Sequence, residues 1–161
     1  MSVHIADLIS QKIAAERVTD TRKKDAFHVT DVGKCLRGVY IKRQQDVSGF
    51  DDRQLRIFKA GKIFEDFVVS TVPPDVIAFL QGEVAWPELN FVGSYDLLTK
   101  EGDGYHLYEL KSQNSQSFHY MLDDANPLHK EQVMLYASKL IELGMKLNGI
   151  SVCYRSEEHT S

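Results

Sequence analysis

Two extended segments joined by a glycine-rich loop constrain the fold of this chain more than any other feature of its sequence. Residues 91–99 (FVGSYDLLT) and 105–112 (YHLYELKS) have the composition of strands, and Gly102-Asp103-Gly104 lies in the loop between them. A two-residue and a four-residue loop give the same hairpin register. In that register Asp96 lies directly opposite Glu109, so two carboxylates meet across the hairpin.

The side chains of Asp96, Glu109 and Lys111 are predicted to converge on one face of this hairpin. Alternate residues of a strand share a face, and cross-strand neighbours have Cβ atoms about 4.5–5.5 Å apart. Two carboxylates at that distance repel each other unless a positive charge lies between them. Mg²⁺ meets this need, because it binds one or two carboxylates and keeps positions open for water and phosphate. An E-x-K triplet alone is common on surface strands, and the opposed Asp96 distinguishes this one.

The rest of the sequence predicts helices before and after the hairpin, and further strands. The predicted helices cover residues 3–17, residues 29–40, Asp51 to the residues before Pro73, and Pro127 to about Leu147. The further strands cover residues 76–86 and 149–154. This order predicts one α/β or α+β domain over residues 1–154, with a small, mainly antiparallel or mixed sheet. Residues 1–28 form its N-terminal helix and connector.

Two of the predicted helices carry apolar stripes that we expect to pack on the sheet. The stripe of the earlier helix comprises Ile57, Ala60, Phe64, Phe67 and Val68. The stripe of the later helix comprises Val133, Tyr136, Leu140, Leu143 and Leu147, widened by Met134, Ile141 and Met145. Both stripes follow the helical period, so both helices are expected to cover the sheet.

Length and composition fit one globular, cytoplasmic domain. The chain has 161 residues, of which 43% are hydrophobic and 26% are charged. No segment approaches the roughly 20 apolar residues that a membrane helix needs, and we expect neither a signal peptide nor a membrane partner. The two cysteines, Cys35 and Cys153, are too few for a disulfide framework. Any metal site in the folded domain therefore relies mainly on oxygen ligands.

Charge is unevenly distributed along the chain. Residues 1–62 hold 13 of the 19 basic residues but 8 of the 23 acidic ones, so a net negative chain has a positive first part. This part is expected either to face phosphate or to form an ordinary solvated surface, and charge alone does not decide between them. If it faces phosphate, the predicted contacts are Arg37, Lys42 and Arg43.

Further polar residues lie on the predicted helices. Glu65 follows Gly61 by one helical turn, where a glycine permits close approach of another backbone. Glu65 either binds a cation or turns to water from the flank of its helix. Gln132 and Tyr136 are also one turn apart, and Tyr136 either orients the site or only packs in the core.

Four motifs occur in order: Gly61-Lys-Ile-Phe-Glu65, Gly93-Ser-Tyr-Asp96, Glu109-Leu-Lys111 and Gln132-Val-Met-Leu-Tyr136. Together they resemble the PD-(D/E)XK nuclease superfamily, in the branch that contains RecB-like and CRISPR-associated exonucleases. The resemblance spans the chain from about Val29 to Tyr154. It implies a restriction-endonuclease-like core and a metal-dependent deoxyribonuclease that uses Mg²⁺ or Mn²⁺. The implied partners are single-stranded or duplex DNA ends and CRISPR or recombination proteins.

The resemblance also implies a role for each matching residue. Asp96 and Glu109 match the metal-binding carboxylates, Leu110 offers its backbone carbonyl to the metal, and Lys111 matches the catalytic lysine. Glu65 stands where many relatives have histidine, which would exchange a nitrogen ligand for an oxygen ligand. Gln132 and Tyr136 match residues that position the substrate. The alternative function is a nucleic-acid-binding module that keeps the fold without cleaving, and nothing in the sequence supports a purely structural role.

Cys35 and the last seven residues both indicate that the native chain continues past Tyr154. Cys35 resembles the first cysteine of a [4Fe-4S] cluster in the same branch, whose other three cysteines lie near the C-terminus; otherwise Cys35 is a small buried residue. Residues 155–161 resemble the translation of a sequencing adapter. We therefore expect the native chain to continue past Tyr154 and to supply the missing cysteines.

Overall fold

A computed structural model describes residues 5, 8, 11–12, 25–44, 51–113, 118 and 124–156. The helix predicted over residues 3–17 lies mostly outside these residues. The described elements are β1 (Phe27–His28), a 3₁₀ turn (Val29–Asp31), α1 (Leu36–Gln44), α2 (Asp52–Thr71), β2 (Ile77–Trp86), a 3₁₀ turn (Pro87–Leu89), β3 (Phe91–Glu101), β4 (Gly104–Gln113), α3 (Pro127–Glu142) and β5 (Leu147–Ser156).

The strands form one mixed five-stranded sheet flanked by helices, which confirms the predicted α+β fold class. Strand β3 pairs antiparallel with both β2 and β4, and parallel pairs join β1 to β3 and β4 to β5. β2 pairs along most of one edge of β3, and β1 and β4 pair with different parts of the other edge of β3. β1 pairs with Phe91 and Val92, and β4 pairs with residues 97–101. Asp96 therefore lies where β4 diverges from β3.

The predicted hairpin register is confirmed from Glu101↔Gly104 to Leu97↔Tyr108. The backbone pairing ends there, so Asp96 and Glu109 are not a pair of the ladder as predicted. The two strands separate at this point, and the carboxylate of Asp96 enters the space between them. A polar side chain thus occupies the position where a regular ladder would continue.

Helix α3 covers the sheet through the first part of its predicted stripe. Val133, Tyr136 and Leu140 are buried in one core with Leu98 and Leu107 of the sheet. The helix does not reach Leu147, because it ends at Glu142 and Gly144 adopts a left-handed φ of 86°. Leu143 is 62% exposed and Leu147 belongs to β5, so the prediction that these two residues continue the buried stripe of the helix is wrong. Met134 and Ile141, which were expected to widen it, are also exposed.

Helix α2 begins where the sequence predicts but packs differently. Asp51 caps it by accepting from the backbone N–H of Gln54, whose side chain accepts from the N–H of Asp51. Leu55 is buried and Phe64 is half-buried, but Ile57 and Phe67 are exposed, Phe67 by 64%. The prediction that the whole stripe is core is therefore wrong, because the sheet covers only part of the helix.

Two boundaries also differ from the prediction. Residues 29–31 form a 3₁₀ turn, and helix α1 begins only at Leu36 because Val32 has extended backbone that interrupts the helix. Strand β5 runs past Tyr154, since Arg155 and Ser156 pair with Ser112 and Gln113 of β4. In the described part of the chain no helix is long and apolar enough to cross a membrane.

Candidate active site

Asp96 lies at the point where β3 and β4 separate, and its side chain binds the neighbouring strand. The backbone N–H of Leu110 donates to Asp96 Oδ2 at 2.7 Å. This bond replaces a bond of the interrupted ladder and fixes the direction of the carboxylate. It also draws Asp96 toward the segment that carries Glu109 and Lys111, as the sequence predicts.

Glu109 is a carboxylate buried between strand β4 and helix α3. Its side chain is 2% exposed, and its Oε1 accepts from Lys111 Nζ at 2.6 Å and from Gln132 Nε2 at 2.7 Å. Its other oxygen, Oε2, is buried without a hydrogen-bond partner. A buried carboxylate oxygen without a partner is costly, so this atom is the part of the site that a cation would satisfy.

The surroundings of Asp96 and Glu109 disfavour the charged form of both carboxyl groups. Burial raises the pKa of Glu109 to about 7, the charge of Asp96 adds to this increase, and Lys111 opposes it. Burial also raises the pKa of Asp96, against the Leu110 N–H and the Lys111 charge, which lower it. The negative charge of Glu65 raises the pKa of both groups. The three carboxylates therefore share one electrostatic environment in which added positive charge is favourable.

Gln132 and Tyr136 reach this site from helix α3. Gln132 Nε2 donates to Glu109 Oε1 at 2.7 Å and to Tyr136 Oη at 3.2 Å. Tyr136 is fully buried, and burial raises the pKa of its hydroxyl. The alternative that Tyr136 only packs in the core is therefore wrong, because its hydroxyl belongs to the network that holds Glu109.

Glu65 lines a cavity of about 140 Å³ together with Asp96 and Leu110. Its Oε2 accepts from Lys62 Nζ at 3.2 Å and from Gln81 Nε2 at 3.4 Å. Glu65 thus faces the site rather than only water. The expectation for Gly61 is wrong, because no atom of another element lies within 4 Å of a Cβ built there.

The residues fit a divalent cation only in part. Asp96 and Glu109 supply carboxylates, and the unpartnered Glu109 Oε2 is an oxygen donor suited to Mg²⁺ or Mn²⁺. Within the described ranges, however, no group of three His, Cys, Asp or Glu side chains is close enough to hold a metal ion. Glu65 would have to move toward the other two to complete such a group.

The three basic residues predicted to contact phosphate have different surroundings. Arg43 Nη2 donates to the carbonyl of Asp25 at 2.6 Å, and its guanidinium lies 4.1 Å from the ring centroid of Phe27. Arg43 therefore ties helix α1 to strand β1. Arg37 is exposed on the same helix. The side chain of Lys42 lies outside the described part.

The two cysteines are both free thiols. Cys35 is exposed just before helix α1, so the alternative that it is a small buried residue is wrong. Cys153 is half-buried in strand β5, and burial raises the pKa of its thiol. Burial keeps that thiol protonated, which disfavours it as a metal ligand.

Three residues of the site region carry contacts that the sequence analysis did not anticipate. Lys62 lies one helical turn before Glu65, and this spacing alone could have indicated their ion pair. His129 contacts Tyr154, with 2.9 Å between Nδ1 and Oη, and no sequence pattern pairs them. Gln81 reaches Glu65 through an unusual backbone conformation that the sequence does not signal.

Comparison with known proteins adds information about the fold. No family profile and no curated protein matches the chain. Among solved structures, the crystal structure of SSO0001 matches with a TM-score of 0.60 and 17% sequence identity. The match covers 93% of this chain and 72% of SSO0001. At this identity the likeness establishes a shared mixed α/β fold and carries nothing about activity.

Proposed function

We propose that this protein is a metal-dependent nuclease that hydrolyses phosphodiester bonds in DNA. The observation that carries the proposal is the buried Glu109 carboxylate, whose unpartnered Oε2 lies in a site shared with Asp96 and Lys111. The four motifs that resemble PD-(D/E)XK nucleases support it, because three of them supply the residues of this network. The assignment to the exonuclease branch is part of the proposal.

Each residue has a chemical task in this proposal. Asp96, Glu109 and the Leu110 carbonyl would hold Mg²⁺ or Mn²⁺, which when bound supplies a Lewis acid and lowers the pKa of a water ligand. Lys111 Nζ, 2.6 Å from Glu109 Oε1, would offset the negative charge that develops on the phosphate. Gln132 holds the Glu109 carboxylate through its amide and leaves Oε2 free.

The proposed substrate is DNA because the four motifs resemble those of deoxyribonucleases, and the basic first part of the chain is compatible with contacts to phosphate. Residues 1–62 carry 13 of the 19 basic residues, and Arg37 is exposed among them. Phosphate contacts from such residues would supply most of the affinity. An iron–sulfur cluster at Cys35 and CRISPR or recombination partners belong to the same proposal, and both rest on the resemblance alone.

One observation favours a second function, in which the protein binds nucleic acid without cleaving it. No three acidic, histidine or cysteine side chains of the described residues lie close enough to hold a metal ion. A module that keeps the fold but never completes the site would have this geometry. The two functions differ in whether added metal ion produces cleavage.

The experiment is a cleavage assay of the full chain on end-labelled single-stranded, duplex and flap DNA. Each substrate is incubated with Mg²⁺, with Mn²⁺ and with EDTA, and binding is measured in parallel by fluorescence anisotropy. Cleavage with metal ion that EDTA abolishes supports the nuclease. Binding without cleavage under all three conditions supports the binding module, and neither binding nor cleavage contradicts both.

A further inference from the structure

The backbone of strand β2 takes an unusual conformation at Gln81. Its φ of 47° is left-handed, which is costly for a residue other than glycine, asparagine or aspartate. The pairs on either side of it in the β2–β3 ladder place Gln81 across from Asp96. A strained residue thus lies in the middle of a paired strand, opposite a candidate metal ligand.

With this conformation, two consecutive residues line one cavity. In a regular strand, neighbouring side chains point to opposite faces of the sheet. Leu80 and Gln81 nevertheless both line the cavity that contains Glu65 and Asp96. The residue with the strained backbone therefore has its polar side chain in the site. Strain that persists at such a place indicates function.

The side chain delivered in this way contacts Glu65. Gln81 Nε2 donates to Glu65 Oε2 at 3.4 Å, and Lys62 Nζ contacts the same oxygen at 3.2 Å. Because both donors use Oε2, Oε1 is the oxygen that Glu65 can offer to a cation. The amide is neutral, so it orients the carboxylate without cancelling its charge.

We propose that Gln81 is a positioning residue that holds Glu65 by Oε2 and so keeps Oε1 available as the third carboxylate ligand when a cation draws Glu65 toward Asp96 and Glu109. The inference rests on the part of the proposed function that assigns a divalent cation to these residues. It explains why a glutamine occupies a backbone position that glycine or asparagine would occupy at lower cost. Stability at this position is given up for the orientation of Glu65.

The test measures metal affinity and stability separately on the full chain. Mn²⁺ binding is followed by calorimetry, and melting is followed in EDTA, for wild type, Gln81→Gly, Glu65→Gln and the double variant. Gln81→Gly should melt roughly 2–4 °C higher in EDTA, because glycine relieves the left-handed strain. It should also bind Mn²⁺ roughly 10–100-fold more weakly, the usual effect of losing a residue that orients a ligand.

The double variant shows whether Gln81 acts through Glu65. In the Glu65→Gln background, Gln81→Gly should cause no further loss of Mn²⁺ affinity. Asn90→Gly is the matched control for strain, because Asn90 is the other described non-glycine residue with a positive φ, also 47°. This control should leave Mn²⁺ affinity unchanged.

The outcomes separate this inference from the proposed function. Unchanged Mn²⁺ affinity in Gln81→Gly overturns the inference, as does an equal loss with and without Glu65. A wild type that binds Mn²⁺ without cutting DNA contradicts the nuclease, and the role of Gln81 is then still decided by the calorimetry. A wild type that binds no Mn²⁺ overturns both.

Discussion

Gln132 of helix α3 donates a hydrogen bond to the buried carboxylate of Glu109 on strand β4, with 2.7 Å between Nε2 and Oε1. The same oxygen accepts from Lys111 at 2.6 Å, so a neutral and a charged donor converge on one atom. This arrangement links the packing of the helix on the sheet to the charge of the site. Changes at either residue should therefore alter both stability and chemistry.

Gln132→Ala should destabilise the metal-free protein by about 1–3 kcal/mol at pH 8, because it leaves a buried carboxylate with one donor fewer. Urea unfolding in EDTA measures this change. Ser138→Ala is the control, since Ser138 is exposed on the same helix, and its effect should stay within about 0.5 kcal/mol. Equal stability of the two variants would show that the Gln132 bond contributes nothing.

Glu109→Gln should stabilise the metal-free protein at high pH and not at low pH. The pKa of Glu109 is raised to about 7 in the folded protein, mainly by burial, from an ordinary value of 4.5. A raised pKa contributes stability that is fully present below pH 4.5 and is lost as the pH rises through 7. Glu109→Gln has no carboxyl group to ionise at this position. Its free energy of unfolding should therefore exceed that of wild type by about 1–3 kcal/mol at pH 8. Urea unfolding in EDTA from pH 4 to 8 checks this, and a constant difference between the two proteins would contradict it.

His129 should produce the opposite pH dependence. Burial, assisted by the Lys111 charge, lowers the pKa of His129 to about 4 from 6.5. Its contribution to stability is therefore present above pH 6.5 and is lost as the pH falls toward 4. Between pH 8 and pH 4.5, the free energy of unfolding should fall by about 1–2 kcal/mol more in wild type than in His129→Gln. Parallel unfolding profiles of the two proteins over this range would exclude the titration of His129.

Gly93→Ala tests the close packing beneath the site. A Cβ at Gly93 would lie 2.6 Å from Tyr136 Cε1 and 2.6 Å from Val29 Cγ2, so the core must shift. The expected cost is about 1–3 kcal/mol in urea unfolding. Gly61→Ala is the matched control, because a Cβ there meets no atom of another element and alanine favours the helix by about 0.5–1 kcal/mol. A stabilising Gly93→Ala would refute the packing.

The sequence contains enough local information to predict the hairpin and the approach of Asp96 to the segment of Glu109 and Lys111, although not the end of the ladder before Asp96. The Gly102-Asp103-Gly104 loop fixes the register, and strand alternation then places Glu109 and Lys111 together. Helical spacing likewise links Gln132 to Tyr136. These features depend on residues close in sequence or joined by one tight turn, so elementary rules suffice for them.

The remaining features depend on contacts that no local rule describes. The apolar stripe of α2 predicts burial, but Phe67 is exposed, and no local rule says which part of a stripe the sheet covers. Leu147 fits the period of α3, yet Gly144 ends the helix and Leu147 pairs with Tyr105 in the sheet. The left-handed Gln81 has no sequence signal, since glutamine rarely adopts this conformation.

We propose that Asp96, Glu109 and Lys111 form one metal-dependent site that cleaves DNA. Its most direct test is the single-turnover cleavage rate of the full chain on end-labelled DNA in Mn²⁺, for wild type, Glu109→Gln and the Ser138→Ala control. Wild type and the control should cut at the same rate, Glu109→Gln should be slower by about 100-fold or more, and EDTA should stop all cleavage. Equal rates for wild type and Glu109→Gln, or cleavage that persists in EDTA, would contradict the claim.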